Sequence, residues 1–318
     1  MTSLILGING QDGILLSRLL HSKNEVLIGV GTQKVRSGDI PPSIPYYSLD
    51  IRDTHEIMEL IDSHKVEAIY NLSGLSSVAQ SFQDPQTTFE VNFEAVKSIL
   101  VAMYGDAKNA SVKFFQCSSS EMFGAAVNGL QNENTAFNPQ SPYAESKVNA
   151  HLVCQEFRDE DFFVSCGILF NHESIFRPKT FVTRKITSSV ARIKLGLQQK
   201  LTVGNLDAAR DWGAASDYVD AINRIMEHNV ADDFVIATGK SHTVRDLVTF
   251  ALRTVDLEDS FDSIVEVDRN LLRKVDLKAT VGDAEKIRRE IGWKATRTFE
   301  ELISEMVEFD LKLNSSEN

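Results

Sequence analysis

Seven short runs of apolar, β-branched or aromatic residues recur along the chain, at residues 4–8, 25–30, 46–49, 68–72, 113–117, 164–170 and 234–237. Runs of this length between polar or glycine-bearing stretches predict strands. Between them the apolar period changes. Residues 14–20 carry apolar side chains on one helical face, residues 87–104 set Phe89, Val96, Ile99, Leu100 and Met103 broadly at helical spacing, and another helical pattern follows Tyr143. This alternation predicts an α/β fold: a doubly wound parallel sheet with helices on both faces and its ligand at the carboxyl ends of the strands. The last third has few strand-like runs. Two capping boxes, Thr243 with Asp246 and Thr298 with Glu301, open helices over 244–255 and 299–311, so this part reads as a smaller, mostly helical domain. The polar stretch 314–318 reads as a frayed end.

Gly7-Ile8-Asn9-Gly10-Gln11-Asp12-Gly13 lies between the first strand-like run and the first helical pattern. Glycines at spacing three let a strand turn tightly and let backbone N–H groups approach a pyrophosphate where a helix begins and its dipole favours negative charge. Gly7, Gly10, Gln11, Asp12 and Gly13 are therefore expected to seat a dinucleotide. The second run ends Val30-Gly31-Thr32 without the acidic residue that grips an unphosphorylated ribose, and Lys34 and Arg36 follow. That favours NADP over NAD. Residues 1–170 with about 208–240 form the cofactor-binding domain on this reading, and about 171–207 with 241–318 the substrate-binding one.

With 318 residues, 42% of them hydrophobic, the chain can bury one large core, or a large domain with a smaller one packed on it. Its net charge of −12, with acidic residues spread along the chain, argues against a nucleic-acid or anionic-membrane partner. Positive charge for an anionic ligand must then be gathered locally. Cys117, Cys154 and Cys166 lack C-x-x-C spacing and the histidines lack metal-ligand spacing, so reduced thiols and no metal are expected. No apolar run spans a bilayer and the first residues already form a strand, which reads as a cytoplasmic protein with no signal peptide.

Tyr143-Ala144-Glu145-Ser146-Lys147 sets a phenol and an ammonium four residues apart, on one face of a helix beginning after Pro142. A nearby cation stabilises phenolate, making Tyr143 a candidate base for a sugar hydroxyl. Upstream, Cys117-Ser118-Ser119-Ser120-Glu121 ends a predicted strand in the same sheet.

With these motifs the chain resembles the extended short-chain dehydrogenase/reductase family, and within it the GDP-mannose 4,6-dehydratases. The resemblance covers nearly the whole chain. Its most specific stretches include Ile168-Leu169-Phe170-Asn171-His172-Glu173-Ser174, Thr180-Phe181-Val182-Thr183-Arg184-Lys185-Ile186, Arg210-Asp211-Trp212-Gly213 and Val235-Ile236-Ala237-Thr238-Gly239. It implies a Rossmann sheet, NADP, and GDP-mannose or a related nucleotide sugar as substrate. Tyr143, helped by Lys147, would take the proton of the hexose 4-hydroxyl while hydride leaves C4, with Ser119 bonded to O4. Glu121 would remove the C5 proton, water would leave from C6, and the hydride would return there. A simple reductase or 4-epimerase needs the Tyr and Lys but no such carboxylate. The resemblance adds Asp50 and Leu72 to the cofactor set beside Tyr143 and Lys147, makes Asn92 a brace for the active-site strands, and assigns Ser76, Asn171, Lys185, Arg210, Arg273 and Asp276 to the nucleotide sugar.

This chain also departs from the family pattern. Thr32-Gln33 replaces an arginine pair after the second strand, and the loop between Val30 and Tyr46 is shorter than one that elsewhere helps bind cofactor across a tetramer interface. Ser73-Gly74-Leu75-Ser76-Ser77 differs from Gly-Ala-Gln-Ser-His, and Ile175-Phe176 stands for a Pro-Arg pair near the sugar site. Homodimer and homotetramer both stay open, as do mannose and manno-heptose. The competing readings are a nucleotide-sugar reductase or epimerase, and a catalytically silent NADP-binding scaffold.

Overall fold

The computed structural model describes residues 1–105, 109–125, 129–268, 271 and 279–315. All seven strand-like runs become strands of one sheet: β1 (Thr2–Leu6), β2 (Val26–Gly31), β3 (Tyr46–Ser48), β4 (Ala68–Asn71), β5 (Lys113–Ser119), β6 (Val164–Leu169) and β10 (Asp233–Ile236). Their order is β10-β6-β5-β4-β1-β2-β3, and every neighbouring pair is parallel. The chain winds outward from β1 through β3, then returns to β4 on the other side of β1. This reversal opens a crevice at the carboxyl ends of the two strands, where such sheets bind ligands.

Successive residues along the strands face opposite layers. Leu4, Leu6, Ile69 and Phe114 pack on α2 (Thr54–His64), α5 (Ala95–Tyr104) and α6 (Pro142–Asp159). Ile5, Tyr70 and Phe115 pack on α1 (Gln11–Ser22) and α8 (Ala215–Glu227). Residues 87–104 are not one unbroken α-helix. The short α3 (Val78–Ser81) and α4 (Pro85–Phe89) lead into a π-helical turn, Glu90–Glu94, before α5 begins. Such turns carry an extra residue and often mark functional sites, and Asn92 within this one is buried.

The remainder builds on β9 (Ala209–Ala214), which pairs with β7 (Asn171–Glu173), β11 (Ser241–Thr243) and β13 (Ala279–Thr280). A separate pair joins β8 (Leu201–Val203) to β12 (Val265–Val267). Helices α7 (Val182–Lys194), α9 (Val244–Arg253), α10 (Phe261–Ile264) and α12 (Phe299–Ser315) enclose a further core around Ile186, Val190, Leu247, Leu252 and Ile303. The helix α11 (Glu285–Ile291) lies against β10. Both capping boxes form: Thr243 Oγ1 accepts from Asp246 N at 3.0 Å, and Thr298 Oγ1 from Glu301 N at 3.2 Å, each carboxylate bonding back to its cap. α12 runs to Ser315, two residues into the stretch read as frayed, because Asn314 is buried and its amide donates to Asp310 O. Among the described residues no helix is long and apolar enough to cross a membrane.

Asp211 of β9 fastens this smaller sheet to the large one. Its Oδ1 accepts from Thr238 N (3.0 Å) and Oγ1 (2.6 Å), and its Oδ2 from Gly239 N (2.9 Å) and Gly282 N (3.2 Å). An amide cannot accept on both sides, so Asp211→Asn leaves a buried donor facing donors. The expected loss is about 1–3 kcal/mol of unfolding free energy, read as a lower urea midpoint at unchanged slope. A midpoint equal to that of the parent chain would show that Asp211 fastens nothing.

Candidate active site

The three glycines of the first turn do different things. A Cβ on Gly7, whose φ is +85°, would fall 2.8 Å from the Ser73 backbone, and one on Gly13 would fall 2.4 Å from Gly7 O. Both are pressed against backbone and admit no side chain. A Cβ on Gly10 would meet only Gly7 O, at 3.3 Å. Gly10 is also the N-cap of α1, with no side chain bonded over it. The start of α1 therefore offers backbone donors toward open space, which fits the pyrophosphate of a dinucleotide.

Gln11 and Asp12 reach across to the segment after β6. Gln11 Nε2 donates to His172 O at 3.1 Å, Ser174 Oγ donates to Gln11 Oε1 at 2.9 Å, and His172 Nε2 lies 3.0 Å from Asp12 Oδ2. Burial pushes the Asp12 carboxyl up, but His172 and Arg177 beside it hold it down at about 2. Leu72 follows β4 directly and lies against the same turn, its N–H on Leu6 O. Asp50, just past β3, is paired with Arg52 at 2.8 Å, which lowers its pKa.

Of the two cations expected near the adenosine end, Lys34 is exposed. Arg36 Nη1 instead lies 3.0–3.1 Å from the carbonyls of Pro41, Pro42 and Ile44 and braces its own loop. Asn9 pins that loop further: its amide donates to Gln33 Oε1 at 3.0 Å and its Oδ1 accepts from Ser37 N at 3.0 Å.

Ser141 caps α6 by accepting from Ala144 N at 3.1 Å, with Pro142 in the first turn. This start sets Tyr143 and Lys147 one turn apart, both buried. Lys147 Nζ donates to Cys117 O at 3.0 Å and lies 5.9 Å from the Tyr143 ring centroid. Burial pushes the Tyr143 phenol up to about 12; a hydrogen bond with Ser119 works against this, and the negative charge of Glu121 adds to it. Burial lowers the pKa of Lys147. Ser119 ends β5 and accepts from Glu121 N at 3.3 Å, opening the turn Ser120–Phe123 that carries Glu121.

Asn92 bonds both backbone groups of Leu75, at 2.8 and 3.1 Å, and Ser146 Oγ at 3.2 Å. It thereby holds the loop after β4 close over Lys147. Gly74 in that loop has φ +151°, and a Cβ there would fall 2.9 Å from Asn92 Oδ1 and 3.5 Å from Lys147 Nζ. A side chain at position 74 is excluded on both counts.

The expected sugar-side residues are more scattered. Asn171 pairs with Trp212 in the β7–β9 ladder, two residues beyond Arg210, which is buried. Lys185 is half-buried in the first turn of α7, and Ser76 is exposed just before α3. Arg273 and Asp276 lie outside the described residues. Ile175 packs against Ala214, Leu302 and Met306, and Phe176 lies under the Arg18 guanidinium at 5.0 Å, so packing on α12 and α1 takes up this apolar pair.

His172 and Arg177 were not singled out from the sequence as site residues. His172 stacks on Tyr218 at 4.7 Å between centroids, and Arg177 Nε donates to Glu173 Oε2 at 2.9 Å while its charge reaches both Asp12 and Tyr143. Their available signal was position, immediately after a strand at the carboxyl edge of the sheet.

An open glycine turn at the switch point of a parallel sheet, with a Tyr–Lys pair beside a serine and a glutamate, defines a Rossmann-type enzyme of the extended short-chain dehydrogenase/reductase class. Solved structures share the fold. A UDP-glucose 4-epimerase from Thermotoga maritima with UDP-glucose has a TM-score of 0.88, covering 99% of this chain and 100% of that one at 20% identity. A dTDP-glucose 4,6-dehydratase from Bacillus anthracis in complex with NAD has a TM-score of 0.84, covering 99% and 98% at 19% identity. The family model described as GDP-mannose 4,6 dehydratase matches residues 4–306. GDP-mannose 4,6 dehydratase 2 of Arabidopsis thaliana is 38% identical, over 99% of this chain and 88% of the relative, and the GDP-mannose 4,6-dehydratase of Yersinia enterocolitica is 35% identical, over 98% and 94%. The chain belongs to the GDP-mannose 4,6-dehydratase family.

Proposed function

We propose that this protein is an NADP-dependent lyase that converts GDP-mannose to GDP-4-keto-6-deoxymannose, a precursor of deoxysugars. The observation that carries the reading is Glu121, two residues past Ser119 and near enough for its charge to act on Tyr143. Oxidation at C4 needs one proton acceptor, and loss of water across C5 and C6 needs a second beside it.

A bound nicotinamide supplies reversible hydride acceptance, so none is consumed over a cycle. Tyr143 takes the 4-hydroxyl proton, Lys147 stabilises the phenolate, and Ser119 bonds the oxygen as it becomes a carbonyl. That carbonyl acidifies the C5 proton. Glu121 accepts it and gives a proton to the hydroxyl that leaves C6 as water, and the proton held by Tyr143 then restores C5, so that both residues end as they began. Residues 1–170 with about 208–240 carry the cofactor, Lys34 facing its phosphate end. Residues 171–207 with 241–318 close over the nucleotide sugar, with Asn171, Lys185 and Arg210 among its contacts, and β9 forms the seam. Three free thiols suit a reducing cytoplasm.

Incubation with GDP-mannose and a trace of NADP is expected to give the 4-keto-6-deoxy product without net accumulation of NADPH. Absence of any turnover of GDP-mannose would refute the sugar assignment, and turnover supported by NAD but not NADP would refute the cofactor assignment.

A further inference from the structure

Three successive turns of α6 face three successive residues at the end of β5. Tyr143 lies beside Ser119, Lys147 Nζ donates to Cys117 O, and His151 Nδ1 lies 2.9 Å from Ser118 Oγ. The first two contacts serve the chemistry directly. The third lies behind it, because the Ser118 side chain leaves the strand on the face opposite Cys117 and Ser119. His151 and Ser118 are 1% and 4% exposed.

His151 is itself anchored from the edge strand. Asp233 of β10 places Oδ2 3.4 Å from His151 Nε2 and is gripped by the Arg158 fork at 2.8 and 2.9 Å and by Gln155 Nε2 at 2.7 Å. Gln155 Nε2 also lies 3.2 Å from His151 Nε2, and the Phe137 ring meets the imidazole edge-on at 5.3 Å. Cys166 of β6 also acts on His151, and Cys154 of α6 lies against Cys166 in turn. Ligand atoms of His151, Cys166 and Asp233 fall within 4.8 Å of one another. The Arg158 guanidinium already neutralises Asp233, and a second cation in so buried a place would be repelled. The cluster closes on itself as a polar network.

We propose that His151 is a positioning residue: through Ser118 it fixes the end of β5 against α6 and so keeps Ser119 at the Tyr143 phenol, with Asp233 and Arg158 as its anchor. Burial pushes the imidazole down, whereas Cys166 and Asp233 push it up, and the net shift is upward. A displacement of Ser119 by an ångström is enough to misalign a proton transfer. It would also remove the bond that opposes the raised pKa of Tyr143. The other groups acting on that phenol are Glu121, Cys117, Arg177 and Lys147, and none is altered by a change at position 151.

The kinetic test rests on the dehydratase reading. His151→Leu is expected to lower kcat by roughly tenfold, with KM for GDP-mannose within about twofold, and to move the limb of kcat set by Tyr143 up by about half a pH unit. His151→Asn, which keeps a polar group where Nδ1 stood, is expected to restore most of both. A folded His151→Leu chain with the parent kcat and pH profile overturns the proposal, as does an equal loss in His151→Asn. Should His151→Leu fail to fold, Ser118→Ala carries the test with the same expected fall, and an unchanged kcat overturns it. If the parent chain turns over no GDP-mannose, the functional reading fails on its own account. Amide exchange then decides the positioning role without substrate: faster exchange over residues 117–121 in Ser118→Ala supports it, and parent-like protection overturns it.

Discussion

Tyr143→Phe is expected to lower kcat by roughly a hundredfold to ten-thousandfold, the range over which a positioned acid–base group acts. The ring is buried and keeps its packing in phenylalanine, so the loss falls on chemistry and not on folding. The block comes at the first step. A single turnover with stoichiometric NADP should show no transient reduced cofactor, because no group then accepts the 4-hydroxyl proton. Full activity in this variant would remove Tyr143 from the mechanism. The pH dependence has a definite sign. The base form of a phenol pushed up to about 12 grows as pH rises, so the parent rate should climb with pH and be lost as pH falls. Ser119→Ala removes a bond that favours the base form and should move this limb to still higher pH.

Glu121→Gln is expected to cost a similar factor but at a different step. Oxidation at C4 should persist, and exchange of the C5 proton with solvent deuterium should stop. The Glu121 charge raises the Tyr143 phenol, so the neutral glutamine should also let the first oxidation proceed at lower pH than in the parent. Reduced cofactor and the 4-keto sugar would then accumulate together. Undiminished C5 exchange would show that another group takes the proton.

How much of this could be read from the chain depended on the range of each interaction. The strands of the large sheet were visible because parallel strands are covered on both faces and appear as unbroken apolar runs. Three-residue strands such as β7, β8 and β11 carry no readable period, and β9 hides its apolar residues among Arg210, Asp211 and Gly213. The π-turn at 90–94 was invisible for a related reason, since one extra residue shifts the phase without changing the composition. In the site, Tyr143 and Lys147 were legible because one helical turn joins them. The bond between Asp12 and His172 spans 160 residues and has no local signature. The chain also could not reveal that Arg36 turns toward carbonyls five to eight residues on, because a loop cation reads the same whether it meets a ligand or its own backbone.

The glycine turn carries a consequence of its own. Positions 7 and 13 are demanded by the fold itself, which could not close its first layer around a methyl group, whereas a methyl group at position 10 would meet a single carbonyl oxygen, at 3.3 Å. Folding therefore weighs unequally on the glycines of one heptapeptide, and a ligand drawn close to the turn would add its own demand at the middle one. A screen that scores stability and ligand uptake separately is expected to find the outer two intolerant in both, and the middle one milder in the first than in the second.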